Sequence, residues 1–115
     1  HARCRAQVAA EVIDMAEHPA QAVRKKKDSS IVVGCRLVKD GQVQGFFSAG
    51  STGACLAAAT LVMGRIKGIS RPCLATVVPS PVRPIVLCDV GANADCKPEY
   101  LVQFARWAAC TRRRS

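Results

Sequence analysis

The stretch Ser48-Ala49-Gly50-Ser51-Thr52-Gly53-Ala54 lies between two apolar runs, 43–47 and 55–63, and it constrains the fold more than any other feature. Small residues joining two apolar segments read as a tight turn from a strand into a buried helix. Such a turn offers unpaired backbone N–H groups and the hydroxyls of Ser48, Ser51 and Thr52 at a helix N-terminus, where the helix dipole also favours negative charge. A second polar turn, Asp89-Val90-Gly91-Ala92-Asn93-Ala94-Asp95, follows the apolar run 85–88. Two polar turns at the carboxyl ends of two strands are what an α/β sheet uses to build a ligand site. The ligand they imply is an anion such as phosphate.

Each turn also has a plainer reading. The first is equally a capped helix entry in which Gly50 and Gly53 allow close packing. No Lys follows it, which excludes the nucleotide-binding P-loop. The second is readable as an Asx-turn with an N-cap. Three polar side chains, Asp89, Asn93 and Asp95, nevertheless exceed what a cap needs. They point to a wall that orients a substrate, or to a carboxylate that accepts a proton. Gly and Glu positions do not fit a calcium loop. Arg71 and Lys97 either place positive charge beside a bound phosphate or are surface residues. His18 has no nucleophile partner in the sequence and receives no catalytic role.

At 115 residues, half of them apolar, the chain suits one small globular α/β domain. The longest apolar stretch, 54–63, is too short to span a bilayer, and no signal peptide is recognisable. The chain opens on His1 rather than Met, so its true N-terminus is expected to precede it. Seven cysteines (Cys4, Cys35, Cys55, Cys73, Cys88, Cys96, Cys110) form no CxxC, are odd in number and sit mostly in apolar runs. They read as buried free thiols of a cytoplasmic protein. Cys88 and Cys96 flank two aspartates, but soft ligands at closer spacing would be needed for zinc, which is excluded. The net charge of +9 invites a nucleic-acid partner. Its distribution argues otherwise: Arg106 and residues 112–114 are terminal, and the cluster Arg24-Lys25-Lys26-Lys27 has no interleaved aromatics for stacking. That cluster is a solvated helix face or a docking patch for an acidic partner.

Along the chain, 6–13 reads as a short strand or helix start, and Pro19 opens a helix reaching Lys27. Ser29 or Ser30 caps a second helix that buries Val33, Leu37 and Val38 and ends at Gly41. A strand over 43–47 precedes the first turn, and the helix after that turn, apolar all round, is expected to be buried on both sides. Strands follow at 73–78 and 85–88, broken by Pro79, and Pro98 begins a helix with Tyr100, Leu101, Phe104 and Trp107 along one side. The alternation implies a mainly parallel sheet, although the two strands around Pro79 are close enough to pair antiparallel.

The two turns, in this order, resemble the phosphate acyltransferases of bacterial phospholipid synthesis, the PlsX family. So do Lys27-Asp28-Ser29-Ser30, Leu37-Val38-Lys39-Asp40-Gly41, Gly68-Ile69-Ser70-Arg71-Pro72 and Asp95-Cys96-Lys97-Pro98-Glu99-Tyr100-Leu101-Val102-Gln103-Phe104-Ala105. The likeness runs from Val12 to Ala105. It implies a Rossmann-like α/β fold, with a parallel or mixed sheet and flanking helices, like that of isocitrate and isopropylmalate dehydrogenases. The implied reaction moves a fatty acyl group from acyl carrier protein onto inorganic phosphate, with no metal or nucleotide cofactor. The resemblance further implies a homodimer in the cytoplasm, peripherally associated with the membrane, that feeds acyl phosphate to glycerol-3-phosphate acyltransferase. On this reading Ser48, Gly50, Ser51, Thr52 and Gly53 cradle phosphate or the developing oxyanion, with Arg71 and Lys97 nearby, and Asp89, Asn93 and Asp95 orient the reacting groups.

The sequence departs from the family in three places. Ser51 stands where many relatives carry Asn. The family's glycine-rich DxMGGD segment is absent, as are its second lobe and later TGN motif. After Ala105, relatives soon continue with Met-Gly-Ser, whereas this chain reads Arg106-Trp107-Ala108-Ala109-Cys110-Thr111. One deleted nucleotide converts an Arg-Met-Gly-Ser-Val-Tyr frame into that sequence. Residues 1–105 are therefore expected to be a partial acyltransferase domain and 106–115 an aberrant, frameshifted basic tail. A small basic nucleic-acid-binding module and a non-functional gene remnant are the alternatives.

Overall fold

The computed structural model describes residues 6–91, 93 and 95–112, those of 111 and 112 by backbone alone. Cys4, Ala92, Ala94 and the arginines at 113 and 114 lie outside the described residues. The chain divides into two compact units, His1–Gly64 and Arg65–Ser115.

The first unit is helical. Pro19, whose fixed φ and missing N–H suit a first helical position, opens α1 (Pro19–Lys25). Helix α2 (Ser30–Lys39) follows the N-cap Ser29 and stops at Asp40, with Gly41 beyond it at φ 69, a conformation that glycine adopts without a side-chain clash. The Ser29 hydroxyl does not cap α2. It is buried and donates to the Lys26 carbonyl at 2.9 Å. In α2 the buried residues are Ile31, Val32, Gly34 and Cys35. The expected stripe of Val33, Leu37 and Val38 is only half-buried, so the helix is turned relative to that expectation. Residues 6–13 form neither strand nor helix. Their one ladder contact is a parallel bridge from Glu11 to Ser29, with Glu11 N–H donating to the Asp28 carbonyl at 3.2 Å.

Helix α3 (Thr52–Ala58) runs on into a π-helical turn, Ala59–Met63. Thr60 supplies a local cause. Its hydroxyl donates at 2.7 Å to the Leu56 carbonyl, the acceptor its own amide would use in an α-helix. The wider turn closes with Gly64 N–H on the Ala59 carbonyl at 3.0 Å, and Gly64 ends it at φ 91. Only Ala54 and Ala58 of this segment are fully excluded from solvent, while Leu61 and Met63 are exposed. The expected burial on both sides is thus confined to the α1- and α2-facing side. The core joins Ile13, Ala22, Val23, Ile31, Val32, Cys35, Ala54 and Ala58.

The strand expected over 43–47 does not form. A strand exists only through pairing, and this segment has no ladder partner among the described residues. Its start folds back instead: the Gln42 and Val43 amides reach the Leu37 carbonyl at 3.0 and 3.4 Å. Phe46 lays its ring against Gly34 of α2, in space that a Cβ there would occupy, and Phe47 is 89% exposed.

In the second unit, β1 (Ala75–Val78) and β2 (Ile85–Cys88) pair antiparallel in the register Ala75↔Cys88 to Val78↔Ile85. Pro79 and Pro84 flank the ladder, because proline has no amide to donate into it. The parallel strands that the alternation predicts are not among the described residues. Strand β1 is exposed along its length, and β2 alternates, with Val86 and Cys88 half-buried. Helix α4 (Pro98–Arg112) packs on β2 and continues through 106–112 without a break. Phe104 is its buried side chain. Tyr100 is half-buried, but Leu101 and Trp107 of the expected stripe are exposed.

The α1–α3 approach yields a stability prediction. A Cβ at Gly53 would lie 2.8 Å from Cγ of Pro19, a rigid ring that cannot swing aside. Gly53→Ala is expected to destabilise the first unit by about 1–3 kcal/mol, as overpacking does. Chemical denaturation followed by amide hydrogen exchange at α1 and α3 checks this.

Candidate functional site

The first turn belongs to the helical unit and the second to the unit that carries the sheet. The first does not follow a strand; it joins the irregular segment 43–47 to α3. Its hydroxyls satisfy its own backbone. Ser48 Oγ accepts from Gly50 N–H at 3.1 Å. Ser51 Oγ, buried at the N-cap of α3, accepts from Ala54 N–H at 3.3 Å. Two amides that the sequence offered to an anion are thereby engaged. Thr52 and Gly53, in the first turn of α3, have no intrahelical acceptor by helix geometry, and both residues are exposed. Hydroxyls whose lone pairs accept from backbone still carry a proton to donate.

The second turn is organised around Asp89. Its backbone is in the left-handed region at φ 63, which Asp tolerates better than most residues. Its N–H donates to the Leu74 carbonyl at 2.7 Å, and its carbonyl accepts from Gly91 at 2.9 Å. Asn93 Nδ2 donates to Oδ1 at 2.8 Å and approaches the Pro72 carbonyl at 3.4 Å. Cys96 Sγ donates to Oδ2 at 3.2 Å. Both carboxylate oxygens are therefore held, by an amide and a thiol. Asp95 is exposed and stands outside these bonds. Arg71 sits over the Tyr100 ring, 5.9 Å from its centroid, a cation–π arrangement that orients the guanidinium. Its positive charge also reaches Cys96. Lys97 is exposed, and its carbonyl accepts from Tyr100 N–H at 2.9 Å. The structure thus brings Asp89 and Asn93 together, sets Arg71 close by, and leaves Asp95 and Lys97 outside the clamp.

Sequence reasoning missed the part Cys96 plays here, having weighed it only as a zinc ligand and as one of the buried free thiols. The available signal was its position, seven residues after Asp89 and just before α4. Cys35, Cys55, Cys73, Cys88, Cys96 and Cys110 are unpaired thiols, of which only Cys35 is fully buried. The hydrogen bond to Asp89 raises the Cys96 thiol, with burial and the carboxylate's charge adding to it and Arg71 opposing. Burial pushes Cys73 up to about 11, helped by the charge of Cys88, a hydrogen bond with that thiol and the charge of Asp89. No group of three or more His, Cys, Asp or Glu side chains among the described residues is arranged to hold a metal ion.

The basic cluster is partly spent on the fold. Lys26 Nζ donates to Glu17 Oε1 and to the Val12 carbonyl, each at 2.6 Å, and that bond holds the Glu17 carboxyl below its ordinary value. No helix among the described residues is long and apolar enough to cross a membrane.

Comparison with known proteins decides the family. The family model described as fatty acid synthesis protein matches residues 1–112. The chain belongs to this family. A phosphate acyltransferase of Desulfitobacterium hafniense (strain Y51) is 61% identical over 104 residues, which are 90% of this chain and 31% of that protein. One from Clostridium perfringens (strain SM101 / Type A) is 59% identical over 98 residues, 85% of this chain and 29% of the relative. A third, from Herpetosiphon aurantiacus, is 55% identical over 98 residues, 85% and 27% respectively. The chain spans about a third of the length of these fatty acid synthesis family members.

The thiols of this family member yield a pH prediction. Cys73 keeps its proton in the folded state up to about 11, against an ordinary thiol value of 9.0. Its contribution to stability is complete below pH 9 and is lost as pH rises from 9 through 11. Denaturation midpoints are therefore expected to fall more steeply across pH 9–11 in the parent chain than in Cys73→Ala. Parallel slopes would refute this.

Proposed function

We propose that this chain supplies part of the phosphate-handling region of an acyltransferase of phospholipid synthesis. The enzyme transfers a fatty acyl group from acyl carrier protein to inorganic phosphate. The observation that carries this reading is the 61% identity to a phosphate acyltransferase across 90% of the chain. In the reaction a phosphate oxygen attacks the thioester carbon, the carbonyl oxygen becomes an oxyanion, and the C–S bond breaks to release the carrier thiol and acyl phosphate. Catalysis then consists of holding phosphate, aiming it and stabilising the oxyanion.

The residues suit these tasks. Ser48, Gly50, Ser51, Thr52 and Gly53 are proposed to cradle phosphate or the oxyanion, using the amides of Thr52 and Gly53 and hydroxyl protons that the turn's own bonds leave available. Asp89 and Asn93 are proposed to orient the reacting groups, with Asp95 at the rim. Arg71 and Lys97 would supply positive charge, and Arg71 is the better prepared because Tyr100 already orients it. The wider proposal includes a Rossmann-like, isopropylmalate dehydrogenase-like fold, a homodimer and a cytoplasmic enzyme resting on the membrane. It also includes delivery of acyl phosphate to glycerol-3-phosphate acyltransferase.

In a full-length phosphate acyltransferase bearing these two turns, Ser51→Ala and Asp89→Asn are each expected to lower kcat/KM for phosphate by about 10²-fold, the scale of losing one transition-state donor. Asn tolerates the left-handed backbone at position 89, so that variant tests the carboxylate rather than the turn. Acyl phosphate formation from acyl carrier protein is the assay. Unchanged turnover in both variants removes this site.

A further inference from the structure

We propose that Cys96 is a positioning residue for Asp89: its thiol and the Asn93 amide grip the two carboxylate oxygens and fix their orientation at the end of β2. The proposal deepens the preceding reading and rests on it, since it takes Asp89 as a group that orients the reacting partners.

The geometry spans three pieces of chain. Asn93 donates to Oδ1 at 2.8 Å and leans on the Pro72 carbonyl at 3.4 Å, before β1. Cys96, two residues ahead of Pro98, donates to Oδ2 at 3.2 Å and so ties the carboxylate to the entrance of α4. The backbone of Asp89 is pinned separately to the Leu74 carbonyl at 2.7 Å. A carboxylate whose main chain and two oxygens are bound to different segments has little rotational freedom left. A thiol is a weak donor, so it directs Oδ2 without competing strongly for its charge. The opposite role, Cys96 as a nucleophile, conflicts with its surroundings: the adjacent carboxylate disfavours the thiolate, whereas reactive thiols sit in electropositive settings. The charge of Arg71 offsets this only in part.

The test uses the 115-residue chain. In Cys96→Ala the side-chain amide resonances of Asn93 are expected to move toward free-amide positions in 1H–15N spectra, because Asp89 is released; Cys96→Ser, which restores a donor, is expected to bring them back. In Asp89→Asn, alkylation of Cys96 by iodoacetamide at pH 8, read by peptide mass spectrometry against the exposed Cys110, is expected to rise about threefold or more as the thiolate becomes easier to form. This second variant leaves Cys96 in place and decides the matter if Cys96→Ala fails to fold. Identical Asn93 resonances in the parent and Cys96→Ala, or an unchanged alkylation rate in Asp89→Asn, overturns the proposal. The turnover assay of the preceding subsection separates the two levels. Lost turnover in Asp89→Asn with unmoved Asn93 resonances overturns Cys96 alone. Full turnover in Asp89→Asn overturns the role of Asp89, and that of Cys96 with it.

Discussion

The close contact between α1 and α3 is the constraint on which the helical unit depends. Ala54 and Ala58 have no exposed surface, and Gly53 lies where any side chain would strike Pro19. Interiors pack near crystal density, so a helix faced with small residues draws its neighbour in close. This explains why a chain rich in Ala and poor in aromatics still builds a core: the gaps are narrow enough for Ala, Val and Ile to fill. It also sets the first turn. Ser48-Ala49-Gly50-Ser51 must deliver the chain into α3 at that spacing, and the two serines do so by taking up the amides of Gly50 and Ala54.

The second turn solves a different problem. It ends a ribbon strand and must turn at once toward α4, and Asp89 accomplishes this by adopting a left-handed backbone. The side chain then becomes the hub for groups arriving from before β1, from the turn itself and from the approach to α4. The stacking of Arg71 on Tyr100 belongs to the same small region, since its charge reaches Cys96. A carboxylate, an amide, a thiol and a guanidinium are thereby gathered in one small region of the second unit.

Local signals were legible wherever they act through the backbone. Pro19, Pro79, Pro98, Gly41 and Ser51 each punctuate the chain where their chemistry dictates, and β2 has the bounds that its apolar run predicts. The sequence grouped Asp89, Asn93 and Asp95 at a strand end; the structure bonds the first two and leaves Asp95 outside. Features that depend on which partner a group finds were not legible. Residues 43–47 have the composition of a strand, yet pairing is a property of two segments, and Phe46 finds Gly34 instead. The π-helical turn depends on one hydroxyl, Thr60, choosing a backbone acceptor. Cys96 was overlooked because cysteine was weighed as a metal ligand and a buried thiol, and a thiol's capacity to donate one directed hydrogen bond leaves no mark in spacing.

The β1–β2 ribbon bears on how the second turn can be used. A pair of four-residue strands with exposed apolar side chains is marginal by itself, and the packing of α4 on β2 supplies its support. The amide of Asp89 is held by Leu74, immediately beside β1, so zipping the ribbon and shaping the turn are one event. A ligand at the turn therefore engages only chains whose ribbon is zipped, and any chain with the ribbon open is not competent to bind it. The apparent dissociation constant is the intrinsic one divided by the fraction of chains with the ribbon closed. Anything that buries the exposed faces of the ribbon raises the fraction and tightens binding at the turn, without touching a single residue of it.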